Sequence, residues 1–539
     1  MAEYRDEELP WTPSEFQIAV IDALLDTEDN LFIEASAGAG KSTTLEMLSR
    51  YIGRGNRIAI AFNNAIVDEL SSRLQPFGMR VTTNHKLGYS WLRMVRPNCR
   101  VDKDKYKNIL AEIVEQGLYI DQIEKKFRAK SIPQYWVCRL FDLWMLTGTH
   151  SSKVAELAAT HELEISHAYD HYLVPVMKEM WRRGKAQLML EGRTANTCAK
   201  VDFVDMIVAP TRAKFIEMAV GQSAGDPRYD IILGDECQDW SKAHVDLVQH
   251  SLRPTGRLVI VGDPKQAIYG FAGAMDGSTD ELVDRFNCRR MPLPVSYRCP
   301  VSHVVLAQQL VPAIMPKENA AAGVVGMADE REMIPMLKKG DLVVCRYTAP
   351  LLKACFALIQ RQVPSSVKGK DMGGQLYAMA VRTHEREEKA SFVDKLVMHE
   401  REQRAWLENH CSPKRLKMAQ ELLADKVECL RDIWRTYQLR DLKSLKGVLS
   451  VLFTENGSQI QLSSIHRAKG LEAKRVFFLH HERVPHPEAD GWMLQEERNL
   501  RYVALTRSYD TLYLVTQHVK ADATKMVELP NNLLHVETA

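Results

Sequence analysis

Two short stretches hold residues whose types and spacing suit phosphate chemistry. Residues 31–45 read LFIEASAGAGKSTTL. An apolar, strand-like run enters a loop of small residues, Ala35, Ser36, Ala37, Gly38, Ala39 and Gly40, and then Lys41, Ser42 and Thr43 open a helix. The spacing is that of a phosphate loop, G-x-x-x-x-G-K-[ST], with Ala35 in place of the first glycine. Small residues let backbone N–H groups wrap phosphate oxygens, and the positive end of the following helix points at the same anion. Lys41 can reach the β and γ phosphates, and the Ser42 hydroxyl can ligate Mg²⁺. Residues 230–239, DIILGDECQD, supply the acids: an apolar run ends at Asp235, suited to hold Mg²⁺ through water, and Glu236, suited to polarise an attacking water.

These residues need strands that end beside one another. Short apolar runs recur at 31–35, 57–62, 80–82, 230–233 and 257–261, separated by amphipathic stretches such as 66–74. That alternation indicates a parallel α/β sheet. From about 91 to 195 the pattern turns helical (106–116 and 154–163), with few strand signals, as expected of a helical insertion. A second set of strand-like runs follows at 341–345, 459–465, 475–479 and 511–515. The polar, charge-dense region at about 382–446 reads as the solvated face of a smaller helical insertion.

Bulk properties restrict the class. A chain of 539 residues exceeds one compact core, and 45% hydrophobic with 26% charged residues is ordinary globular composition. The formal net charge of +2 gives no global sign of a nucleic-acid partner, so any basic surface must be local. The ten cysteines form no C-x-x-C pair, which argues against a zinc ribbon or a disulfide framework and suits a reducing compartment. No apolar run approaches the roughly 20 residues that cross a bilayer. The expectation is a soluble protein, not secreted, cytoplasmic or nucleoid-associated, with no membrane partner.

Phosphate loop and acids alone fit any nucleoside triphosphatase. Three further stretches narrow the choice: RLVIVGDPKQAIYGFAGA from 257, IQLSSIHRAKGLEAKRVFF from 460 and EERNLRYVALTRS from 496. In order and spacing the chain resembles superfamily 1 helicases of the UvrD/Rep branch, from Pro13 to about Val515. The resemblance implies ATP and Mg²⁺ as cofactors and an α/β fold: two RecA-like parallel-sheet domains, each with an inserted helical subdomain. Residues 1–90 and 196–290 would form the first domain around an insertion at 91–195. Residues 291–375 and 448–539 would form the second around an insertion at 376–447.

The same resemblance assigns roles. Gln17 in PSEFQ matches the adenine-reading glutamine, and Gln266 in GDPKQ the γ-phosphate sensor. Tyr297 and Arg298 in VSYRCP match a base-stacking tyrosine and a γ-phosphate arginine. Glu472 in KGLE matches a ribose contact, and Arg507 in ALTRS is expected as the second arginine finger. A planar guanidinium from the far domain can neutralise charge on the transferred phosphoryl group only when the cleft closes. Asn499 departs from the pattern, standing where UvrD-type members usually have a second arginine; Ala272 likewise replaces a common arginine. For single-stranded DNA the resemblance implies Phe62, Asn63, Thr83, His85, Tyr269 and Phe271 on the first domain and His466 on the second, with aromatics gripping any base. The implied function is an ATP-dependent DNA helicase acting on single strands and single–double-strand junctions, travelling 3′ to 5′, with replication, repair or recombination proteins as candidate partners. A translocase that strips proteins or remodels recombination intermediates would share every motif. A non-enzymatic ATP-gated binding protein is disfavoured by the intact hydrolytic set, Lys41, Glu236, Gln266, Arg298 and Arg507.

Overall fold

Strands whose side chains are buried on both faces dominate the chain. In the run Leu31–Ala35, Leu31 and Ile33 enter one core while Phe32 enters another, and Ala59 and Ala61 divide in the same way from Ile58 and Ile60. Continuous apolar strands of this kind belong to parallel sheets covered by helices on both sides. The computed structural model describes residues 12–517 except 54, 117, 121–122, 128–133, 162, 164–169, 190–197, 223–225, 269–277, 385–389, 412, 455–459 and 490.

The first sheet has six strands: β1 (Leu31–Ala35), β2 (Arg57–Ala61), β3 (Arg80–Thr83), β4 (Tyr229–Gly234), β5 (Leu252–Gly262) and β6 (Arg289–Leu293). Their order is β6-β1-β5-β4-β2-β3, and every pairing is parallel. The second sheet has seven: β7 (Val324–Asp329), β8 (Leu342–Cys345), β9 (Ser365–Lys368), β10 (Phe453–Thr454), β11 (Ile460–Ser464), β12 (Ala473–Leu479) and β13 (Ser508–Thr516). Their order is β7-β13-β12-β8-β11-β9-β10, again parallel throughout. The expected α/β class with two parallel sheets is the one adopted.

Two details differ from the sequence reading. β6 pairs with β1, Ile33 opposite Met291, so the first sheet runs beyond residue 290, where the second domain was expected to start. As an edge strand of sequence RRMPL, with Pro292 and two exposed arginines, β6 lacks the apolar run that betrays a central strand. Within the first insertion, where the sequence shows few strand signals, Leu118–Ile120 and Ile123–Phe127 form an antiparallel pair.

That insertion, between β3 and β4, also holds a short parallel pair, Arg100–Val101 with Lys200–Val201, and helices including Lys105–Gln116, Gln134–Thr147 and Asp170–Met189. It is fastened by a fully buried ion pair, Lys105 Nζ to Asp205 Oδ2 at 2.6 Å, with the Tyr106 hydroxyl donating to the other oxygen at 2.6 Å. Close helix approach does the rest: a Cβ on Gly88, in helix Asn84–Val95, would lie 1.7 Å from the Met206 carbonyl oxygen.

The second insertion, between β9 and β10, comprises helices Lys370–His384, Phe392–His410, Pro413–Thr436 and Leu442–Leu452. Along Pro413–Thr436 the spacing of Glu421, Asp425 and Glu428 puts three carboxylates on one helical face. Glu421 accepts from the Tyr347 hydroxyl at 3.0 Å and lies 3.0 Å from His486 Nε2. Asp425 accepts from the Thr348 and Ala349 amides, both at 2.9 Å, which start the helix after β8. Glu428 pairs with Lys353.

Between the two sheets lies helix Val301–Gln308, with His303 fully buried. Burial, opposed by the charge of Asp510, lowers its imidazole from 6.5 to about 4. The folded value lies below the unfolded one, so the stability His303 contributes is fully present above pH 6.5 and is lost as pH falls toward 4. The amount is about 3 kcal/mol at full strength. A His303→Gln protein should therefore lose less thermal stability than the parent between about pH 7 and pH 5. Equal slopes in melting temperature against pH would contradict this.

Candidate nucleotide cleft and nucleic-acid face

The phosphate loop begins where β1 ends. The Ser36 amide donates to Leu293 O on β6 at 3.0 Å, and the Ala39 amide folds back onto Ser36 O at 3.1 Å. Gly38 and Gly40 take left-handed φ values of +74° and +77°. Gly38 is required twice over, because a Cβ there would lie 2.7 Å from Arg298 Cβ and 2.8 Å from Ser296 Oγ. Gly40 caps helix Lys41–Tyr51 without a side-chain acceptor, leaving the amides of its first turn as anion donors.

Gln17 and Tyr297 flank this loop. Gln17 closes a capping box with Ser14 and donates from Nε2 to Thr44 Oγ1 at 3.2 Å, while the Tyr297 hydroxyl reaches its Oε1 at 3.5 Å. The Tyr297 amide donates to Gly38 O at 2.8 Å, yet its ring remains 42% exposed, open to stack on a planar group.

The acids follow β4. Glu236 sits at φ +51° and pairs through Oε1 with Lys41, while Gln238 donates to Oε2. Lys469, from the second sheet, lies 2.6 Å from Asp239 Oδ2 and 3.5 Å from Glu236 Oε2. Burial by itself would raise the Glu236 carboxyl, but the Lys41 and Lys469 ammonium groups override it and hold the acid below its ordinary range. Asp235 shows the opposite balance: burial, then the charge of Glu236, pushes it up to about 7.

Ser42 and Asp235 would be the protein ligands of the dication that the phosphate-loop pattern implies. Both offer hard oxygen donors, and the buried, disfavoured charge of Asp235 is what a cation would relieve. Among the described residues no group of three or more His, Cys, Asp or Glu is placed to hold a metal alone. Phosphate oxygens and water would complete the shell, as is usual for Mg²⁺.

Besides Tyr297, three expected residues reach the cleft from beyond β6: Arg298, Glu472 and Arg507. Arg507, buried at 2% exposure, donates to Val503 O at 3.0 Å and to Gln266 Oε1 at 3.2 Å. Burial and the neighbouring charge of Arg298 lower its guanidinium to about 10, so it remains a cation at neutral pH. Gln266 in turn donates to Asp263 Oδ2 at 2.7 Å. Arg298 pairs with Glu472 and approaches Thr506 O at 3.4 Å, so those two expected residues meet each other in the structure.

Less of the expected nucleic-acid track is accessible. Phe62 is 42% exposed, and exposed Asn63 caps helix Asn64–Leu74 by accepting from the Ile66 amide at 3.0 Å. Thr83 is buried, and its hydroxyl oxygen accepts from the Lys86 amide at 3.2 Å, capping helix Asn84–Val95. A threonine just before a helix has that alternative use for its oxygen. His85 is half-buried, edge-on to Phe203 with centroids 5.9 Å apart, and burial lowers its imidazole from the ordinary value. His466 is likewise partly buried, and burial followed by the charges of Arg346 and Arg467 puts its imidazole well below 6.5. Tyr269, Phe271 and Ala272 lie outside the described residues.

Comparison with known families places this arrangement. The family model for the UvrD/REP helicase N-terminal domain matches residues 17–286, and that for the UvrD-like helicase C-terminal domain matches residues 345–518. The chain belongs to the UvrD/REP helicase family. It is 23% identical over 271 residues to F-box DNA helicase protein 1 of Schizosaccharomyces pombe, which is 48% of this chain and 28% of that protein. It is 22% identical over 300 residues to DNA helicase II of Haemophilus influenzae, covering 52% and 38% of the two chains. With F-box DNA helicase 1 of Gallus gallus the identity is 26% over 255 residues, covering 45% and 22%. The chain thus matches well under half the length of each of these relatives.

Within this UvrD/REP-family cleft stand residues the sequence reading did not single out. Lys469 lies inside the quoted HRAKGLE stretch, and its acid partner Asp239 three residues beyond Glu236. Tyr502 accepts from the Ala37 amide at 2.9 Å, joining the second domain to the phosphate loop itself. Phe203, 51% exposed, is a further aromatic, edge-on to His85. Its one sequence signal is a large apolar residue in the first turn of a helix, directly after the cap Asp202.

Proposed function

We propose that the chain is an ATP-driven DNA motor, a helicase or translocase that moves along single-stranded DNA, 3′ to 5′ in keeping with its branch of the family. The observation that supports this best is a nucleotide cleft assembled from both sheets. Lys41, Asp235, Glu236 and Gln266 come from the first side, and Lys469 and Arg507 from the second. A hydrolytic site divided in this way senses whether the domains are together.

In this reading phosphate oxygens compete with Glu236 for Lys41, and the released carboxylate accepts a proton from the attacking water. Gln17 and Tyr297 hold the base, and the amides of Gly40 to Ser42 hold the β phosphate. Mg²⁺, when bound, supplies charge neutralisation between phosphate oxygens. Arg298 and Arg507 stabilise charge on the transferred group, Arg298 first exchanging Glu472 for phosphate. Loss of the γ phosphate then removes what draws the arginines inward, and the sheets separate. Phe62, His85 and Phe203 on one side and His466 on the other would alternate their grip on the strand.

The test measures ATP turnover with and without single-stranded DNA, together with displacement of strands bearing 3′ or 5′ tails. DNA-stimulated turnover with displacement from 3′ tails is the expected result. Absence of stimulation would remove the motor reading, and stimulation without displacement would favour a translocase that strips proteins or remodels recombination intermediates.

A further inference from the structure

One helix of the second domain, Gly491–Leu505, touches the first domain twice. Tyr502 meets the phosphate loop, and Asn499, one turn earlier and 5% exposed, meets the turn that carries Gln266. That turn, Pro264–Gln266, is short and self-contained: Asp263 caps it by accepting from the Lys265 amide at 2.9 Å, and the Gln266 amide bonds Asp263 O at 2.9 Å. Its carbonyls point the other way and are taken from across the cleft. Asn499 Nδ2 donates to Pro264 O at 3.2 Å and to Ala267 O at 2.9 Å, while Lys469 Nζ donates to Gln266 O at 2.9 Å. The orientation of the Asn499 amide is set by Gln495, which donates to its Oδ1 at 2.8 Å and so turns both Nδ2 protons toward the turn.

We infer that Asn499 is a positioning residue that makes the placement of Gln266 conditional on domain closure. With the sheets together, both ends of the turn are held, and the Gln266 carboxamide is fixed between Asp263 and Arg507. With the sheets apart, the two Asn499 bonds cannot form and Gln266 loses its backbone anchor together with its Arg507 contact. A carboxamide suits this duty because it offers two directional donors to two carbonyls without adding charge beside Lys469 and Arg507. Asn499 also stands where the family pattern has an arginine, a longer and charged donor. The inference rests on the reading of Gln266 as the γ-phosphate sensor.

Two substitutions separate hydrogen-bond donation from packing. Asn499→Asp keeps the shape and loses the donors; Asn499→Gln keeps the donors and changes the shape. At about pH 8, N499D is expected to lower DNA-stimulated kcat about tenfold or more, with little change in KM for ATP, and N499Q to retain most of kcat. A purely structural role predicts the reverse order. N499A, smaller, uncharged and without any side-chain donor, repeats the donor-free condition in case the new charge unfolds N499D, with folding checked by thermal melting. Wild-type kcat in either folded donor-free variant overturns the inference, as does a loss confined to KM. A parallel Gln266→Ala protein distinguishes the two readings. If its turnover is impaired while the donor-free variants behave as wild type, only the role of Asn499 falls; if it turns over normally, the sensor reading and this inference fall together.

Discussion

Replacing Glu236 by glutamine should all but stop ATP turnover while nucleotide and single-stranded DNA still bind. Glutamine keeps the volume and a hydrogen-bond acceptor but cannot take a proton from water, and general-base catalysis is worth about 10²–10⁴ in rate. Phosphate that draws Lys41 away raises the proton affinity of the carboxylate at the step where a base is needed. Lys41 and Lys469 outweigh its burial, so the acid is ionised throughout the working pH range. Nucleotide affinity should be maintained or increased, since Lys41 would no longer be held by an anionic partner. Steady-state hydrolysis together with equilibrium binding of a fluorescent nucleotide measures both halves. Turnover near the parent rate would remove Glu236 as the base, and loss of binding would mean that its pairing with Lys41 builds the site.

Arg507→Lys should be nearly as damaging, although it preserves charge. The guanidinium donates at once to Val503 O, on the helix that precedes it, and to Gln266 Oε1 across the cleft. An ammonium on a flexible stem offers a point charge and cannot hold both directions. Arginine fingers contribute roughly 10³–10⁵ in kcat to phosphoryl transfer, and a lysine recovers only the Coulombic part of that. We expect a fall in DNA-stimulated kcat of at least about 10², with nucleotide-free affinity for single-stranded DNA preserved. Filter binding and stopped-flow phosphate release read the two quantities. Unimpaired phosphate release would leave Arg507 a structural residue.

What the sequence disclosed and what it withheld divide along a physical line. The phosphate loop and the acids were legible because backbone geometry and strand ends demand contiguous residue types, so one short window contains the whole signal. The central strands were legible for a similar reason, since burial on both faces forces apolar runs. β6 was not, because an edge strand needs only every second residue apolar, and Met291 and Leu293 are all it shows. Contacts across the cleft were out of reach for another reason. Lys469 finds Asp239 from 230 positions away and Tyr502 finds Ala37 from 465, distances over which composition carries no pairing information. Thr83 illustrates a second use that a motif conceals: an oxygen of a type that could face a ligand accepts from the Lys86 amide and caps its own helix.

The carboxylate face of helix Pro413–Thr436 bears on how such chains can be recombined. Glu421, Asp425 and Glu428 are matched by Tyr347, His486, Lys353 and the amides of Thr348 and Ala349, all outside the inserted segment. A chimera that transplanted only the inserted helices into another motor would import three acids and leave their complements behind. The transferable unit is therefore larger than the insertion: it includes the start of the helix after β8 and the segment around His486. Any exchange of this module between relatives, by an engineer or by recombination, has to carry those distant stretches along.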